Sequence, residues 1–194
     1  MSHPFEFVEQ TLWLKVGFAV VLVAALALTA QYMKVLGEKL VASDNAVASN
    51  RSGVAGMLLY EFAASEARAN EILTTWEKNE ATKTAKQSLY VDFLFLVIYS
   101  TTFAYFCYLV ASTFSAHSIW FIIGMLLVYG QWLAAIFDSL ENIALLAMLW
   151  HQEAITALPQ LAFWFAAFKF FLVFVGVGYI VVGGLILGVS KLSG

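Results

Sequence analysis

Charge is what this chain has least of. Of its 194 residues, 12% are Asp, Glu, Lys or Arg and 62% are apolar, whereas a soluble domain carries about 25% and 45–50%. The mean hydropathy of +0.83 excludes a water-soluble globule. Ten bases against thirteen acids leave a net charge of −3, so there is no basic excess to hold nucleic acid. A single cysteine, Cys107, excludes an internal disulfide, a Cys-rich zinc site and a CxxC redox centre. No nucleophile elbow, P-loop or HExxH motif occurs, and no repeat or low-complexity tract is visible. His3, His117 and His151 lie near the ends of apolar runs. His117 and His151 fall on opposite sides of the expected membrane, which leaves no pair for a haem or a di-metal centre. No cofactor and no metal are expected.

What is present is hydrophobic length. No Asp, Glu, Lys or Arg occurs in the 18 residues from Val16 to Met33, the 45 from Phe93 to Phe137, or the 21 from Phe170 to Ser190. A spanning helix needs about 20 apolar residues. The expected fold class is therefore all-α: a polytopic membrane protein with a four-transmembrane-helix bundle. Its spans fall near 12–33, 91–113, 118–149 and 160–188, in one membrane domain covering 1–194. Ala25-Leu26-Ala27 has the look of a signal-peptide cleavage site, but Glu6 and Glu9 stand where a basic n-region belongs. The first run is read as a retained helix.

A polar insert, about 34–90, separates the first two spans. Asp44, Asn45, Asn50, Ser52 and Gly53 mark 37–53 as loop, and Asn50-Arg51-Ser52 matches a glycosylation sequon. From Val54 to Trp76 apolar residues recur at helical spacing, at Leu58, Phe62, Ala69, Ile72, Leu73 and Trp76. That pattern predicts one amphipathic helix, lying on the membrane or packed over the bundle. Glu61, Arg68 and Trp76 are its candidate cap residues. A second polar stretch, 80–88, is expected to run straight into the second span. Four crossings put both termini and the 112–118 turn on one side, with the insert and the Pro159 turn on the other. Lysines occur on both sides, so charge counting does not set the orientation.

The notable ionisable residues within the spans are few: Asp92, Asp138, Glu141 and Lys169. Each costs ~2.5–3.5 kcal/mol on insertion scales unless partnered or hydrated. Asp92 opens the second span on the insert side. Asp138 lies 20 residues after Ser118, a rise of about 30 Å, and Lys169 lies about 13 Å into the fourth span. All four are thus expected in the half of the bundle facing the insert, with a tight turn at Pro159 pairing Asp138 with Lys169. Helical spacing also groups Asp92, Tyr99 and Thr102 on one face, Gln131, Asp138, Glu141 and Asn142 on a second, and Lys169, Gly176 and Tyr179 on a third. Stripes of this kind turn inward, because lipid cannot satisfy them. Three acids facing one lysine leave a proton, a cation or a cationic group to complete the set. The bland alternative is an Asp–Lys brace between two helices. Gly184 and Gly188 form a GxxxG pair suited to close helix packing, either in the bundle or in a homo-oligomer.

The order Ser88-Leu89-Tyr90-Val91-Asp92-Phe93-Leu94-Phe95, Phe137-Asp138-Ser139-Leu140-Glu141-Asn142 and Phe168-Lys169-Phe170 resembles an uncharacterised family of small four-helix bacterial membrane proteins. The likeness runs over about 54–188. It implies a shared polar cluster and a bacterial inner (cytoplasmic) membrane, and it supplies no activity. The expected function is a membrane protein whose Asp92, Tyr99, Asp138, Glu141, Asn142 and Lys169 form a site. That site would bind a small polar, cationic or lipid-headgroup ligand, or couple to protons. Two alternatives stand beside it. One is an accessory or assembly subunit of a larger membrane complex, docking through the insert. The other is a lipid-acting enzyme using paired carboxylates. Membrane lipids are the expected partners, and nucleic acid is not.

Overall fold

The computed structural model describes residues 4–5, 8, 11–40 and 54–192. Of the loop expected at 37–53, residues 41–53 lie outside them, as do the sequon and His3. Among the described residues the chain is all helical, without strands. Six helices follow in order: α1 (Leu12–Gly37), α2 (Val54–Glu61), α3 (Glu66–Lys78), α4 (Thr82–Ala111), α5 (Ile119–His151) and α6 (Leu158–Leu192). Four of them, α1, α4, α5 and α6, are long and apolar enough to cross a membrane. The protein is an integral membrane protein with the helix content of a four-helix bundle.

The amphipathic stretch is two helices rather than one. α2 ends at Glu61, and Ala64 takes a left-handed φ of 56°, which no helix interior tolerates. Ser65, in extended geometry, then caps α3 by accepting from Arg68 N at 3.4 Å. The apolar spacing survives the break, so periodicity alone does not reveal it. As expected, the polar stretch continues into the next span without interruption: α4 starts at Thr82, nine residues before the first residue expected in that span. At the start of α6, Pro159 occupies the first turn, where its missing N–H costs nothing.

The contacts divide the chain into two compact units: Met1–Leu26, Val97–Ala135 and Lys169–Gly194 form the first, and Ala27–Leu96 with Ile136–Phe168 the second. The core of the second is built by the insert. Met57 and Tyr60 of α2 and Ala69, Ile72, Leu73 and Trp76 of α3 pack with Ala85 and Leu89 of α4 and with Leu145, Met148 and Leu149 of α5. Trp76 is wholly buried and meets Tyr60 edge-on at 5.0 Å. The apolar face of α3 is therefore spent on protein, while Glu66, Arg68, Glu71, Glu77 and Lys78 face outward. At one end of this unit, Asn70 Oδ1 accepts from Ala154 N at 2.7 Å and ties α3 to the α5–α6 turn.

The first unit is held by aromatic packing and by side chains bonded to helix carbonyls. Phe5 is buried against Phe18, Tyr105, Tyr108 and Trp132, with ring centroids 5.1–6.3 Å away. Tyr105 Oη donates to Lys15 O at 3.0 Å. Fully buried Gln131 donates from Nε2 to Leu172 O at 3.0 Å. One turn along α6, Gly176 O accepts from Cys107 Sγ at 3.7 Å. Gly176 is what lets Gln131 approach, since a Cβ there would strike Gln131 Nε2. Gly183 likewise lies against Val110, whereas Gly184 and Gly188 face open space. The packing glycines of α6 are thus Gly176 and Gly183, and the GxxxG pair points away from this core.

Candidate functional site

Two of the described acidic residues of the second unit are buried, and both stand on α5. Asp138 and Glu141 stand three residues apart, and both are buried, at 2% and 0% exposure. That spacing returns them to one helical face. Asn142, also buried, donates from Nδ2 to Asp92 Oδ2 at 2.6 Å, which joins α4 to the same face of α5. The distance is that of a charge-assisted bond. Asp92 itself is half-buried, so this carboxylate lies at the edge of the group and Glu141 at its centre.

Lys34, Lys39, Arg68, Lys78 and Lys83 are exposed, and Lys86 sits 3.8 Å over the Trp150 ring. Tyr60 comes close to the acidic face: its hydroxyl donates at 3.1 Å to Leu145 O, one helical turn beyond Glu141. Burial holds the Tyr60 phenol well above its ordinary value near 10. The Tyr60–Trp76 pair is the part of this region that the sequence did not single out as a unit. Its only signal was the apolar spacing around Glu61. Trp76 Nε1 is buried and has no hydrogen-bond partner among the described residues.

Of the remaining expected residues, Glu61 is half-buried at the end of α2, and Arg68 is exposed in the first turn of α3. Tyr99 and Lys169 belong to the first unit. Each is 6% exposed; the Tyr99 ring lies 6.3 Å from that of Phe103, and Lys169 Nζ 5.1 Å from that of Phe170. Among the described residues, no group of three or more His, Cys, Asp or Glu side chains is arranged to hold a metal ion. His117 and His151 are both exposed.

Comparisons with protein-family models, with curated proteins and with solved structures give no match. The site is therefore interpreted from its own geometry.

Proposed function

We propose that the acidic face of the second unit is a proton-binding site, and that the protein couples this proton to a small polar or cationic ligand. One observation carries the proposal. A wholly buried carboxyl, Glu141, stands one turn from buried Asp138 and next to the Asp92–Asn142 bond. Carboxyls collected inside a membrane protein are costly and are kept where a proton or ion passes. In this scheme Asp138 and Glu141 hold the proton. Asn142 holds the Asp92 carboxyl in place at the half-buried edge. The motif likeness supports a bacterial inner (cytoplasmic) membrane as its location.

Infrared difference spectra of the reconstituted protein between about pH 9 and 5 test this. Surface carboxyls, ordinary near ~4, are already ionised across that window. Acidification is expected to raise a protonated-carboxyl C=O band that shrinks in Glu141→Gln and in Asp138→Asn. A band of full size in both folded variants, or none in the native protein, would sink the proposal.

α3 favours a second role, docking within a larger membrane complex, because Glu66, Arg68, Glu71 and Glu77 present a charged outward face. Docking predicts that charge reversal at Arg68 abolishes function, while neutralising Asp138 leaves it intact.

A further inference from the structure

α1 is the least covered of the four spans. No residue of its most apolar stretch is buried, and Trp13, Val20, Val21 and Leu28 are all more than half exposed. Its opposite edge is packed, with Phe18, Ala19 and Leu22 lying against the core of the first unit. Where the helix begins, a groove of about 290 Å³ is lined by Val8, Trp13, Leu14, Gly17, Phe18 and Val21. Val8 is itself 4% exposed and lies three residues beyond Phe5, whose N-terminal turn it closes by bonding Val8 N to Phe5 O at 3.0 Å. The aromatic cluster that pins Phe5 therefore also fixes this wall of the groove. Gly17 recesses the opposite wall, since a Cβ built there meets nothing within 4 Å.

Three properties narrow what fills such a space. Its lining is aliphatic and aromatic, without the convergent polar groups that orient a polar ligand. Its volume is too small for another helix, which is about 10 Å across with its side chains. Taking a methylene as roughly the ~30 Å³ share of a water, the groove has room for about ten of them. Its position is equally specific. From Trp13 to Val21 the helix rises about 12 Å, over the outermost turns of a span that opens with an exposed tryptophan, the residue favoured at headgroup level. A lipid chain begins its descent into the bilayer at this depth.

We infer that this groove holds one acyl chain of a membrane phospholipid, laid along α1 from Trp13 to Val21 beside Val8. The chain replaces the protein neighbours that α1 lacks on this edge. It is thus a fixed component of the first unit rather than part of the exchanging lipid shell.

The test is native mass spectrometry of the full-length protein after extensive delipidation in detergent, followed by thermal melts with phospholipid added back. The native protein is expected to retain one phospholipid per chain and to gain thermal stability when phospholipid returns, because a ligand bound to the folded state stabilises it. Gly17→Phe fills the groove from open space and should retain about tenfold less, through lost apolar burial, with little thermal response. Gly178→Phe, at a glycine of α6 also in open space, should behave as the native protein does. Val21→Trp narrows the same groove and gives the same readout if Gly17→Phe does not fold. Equal retention in native and groove-filled proteins, equal loss in Gly178→Phe, or no retained lipid in the native protein would each overturn the inference.

Discussion

Gly124→Ala is expected to destabilise the protein by about 1–3 kcal/mol, the usual cost of overpacking a filled interior. Gly124 of α5 is buried where three helices of the first unit meet. A Cβ there would strike the Tyr179 hydroxyl and come within 2.6 Å of Ala111 Cβ and 2.7 Å of Tyr179 Cζ. The Tyr179 ring cannot swing away freely, because its hydroxyl donates to Trp120 O at 2.9 Å and its ring lies 6.4 Å from that of Trp120. Both Ala111 Cβ and the ring are rigid, so backbone must move. Melting in detergent reads the loss. Gly178→Ala is the control: with open space around it, it should be neutral or gain up to ~1 kcal/mol from helix propensity. Tyr179→Phe removes the nearest atom and should make the Gly124→Ala cost smaller in the double variant than in the single one.

The second large effect concerns the bond between α4 and α5. Asn142→Leu removes the Nδ2 donor and leaves Asp92 Oδ2 without the partner it holds at 2.6 Å. Hydrogen bonds to charged groups contribute about 1.5–3 kcal/mol, and stranding one partner is the costly direction. A loss of about 2 kcal/mol is expected. The double variant Asp92→Leu/Asn142→Leu should recover most of it, since two apolar groups replace a matched polar pair at little cost. Chemical denaturation of all three variants completes the cycle. A double variant as unstable as the sum of the two single ones would mean that the bond carries no coupling.

These expectations also mark where the sequence stops being informative. The four spans are visible in runs without charge, because the bilayer forbids anything else over that length. Their ends are less visible. α4 begins at Thr82, inside the polar stretch expected to run into the span, because nothing between Lys83 and Gln87 breaks a helix. The break at Phe62–Ser65 hid inside an unbroken apolar rhythm, with Ser65 followed by Glu66 as its only local mark. The inward stripe on α5 was legible, and Gln131, Asp138, Glu141 and Asn142 are all buried. Partner choice was not. Asp92 and Asn142 are 50 positions apart, and only tertiary packing selects that bond over others available to the same face. The GxxxG motif had the opposite fault: its spacing drew attention to Gly184 and Gly188, while the close approaches along α6 are at Gly176 and Gly183.

The central claim is that the acids of the second unit are retained for a proton rather than for folding. The most direct measurement is thermal stability of the purified protein from about pH 5 to 9, native against Asp138→Asn and Glu141→Gln. The account predicts that the native protein's stability changes with pH across this window, and that both variants match or exceed its maximum with a flatter profile. Contradiction would be a native profile that does not vary, with each variant losing the roughly 3–5 kcal/mol that breaking a buried ionic brace costs.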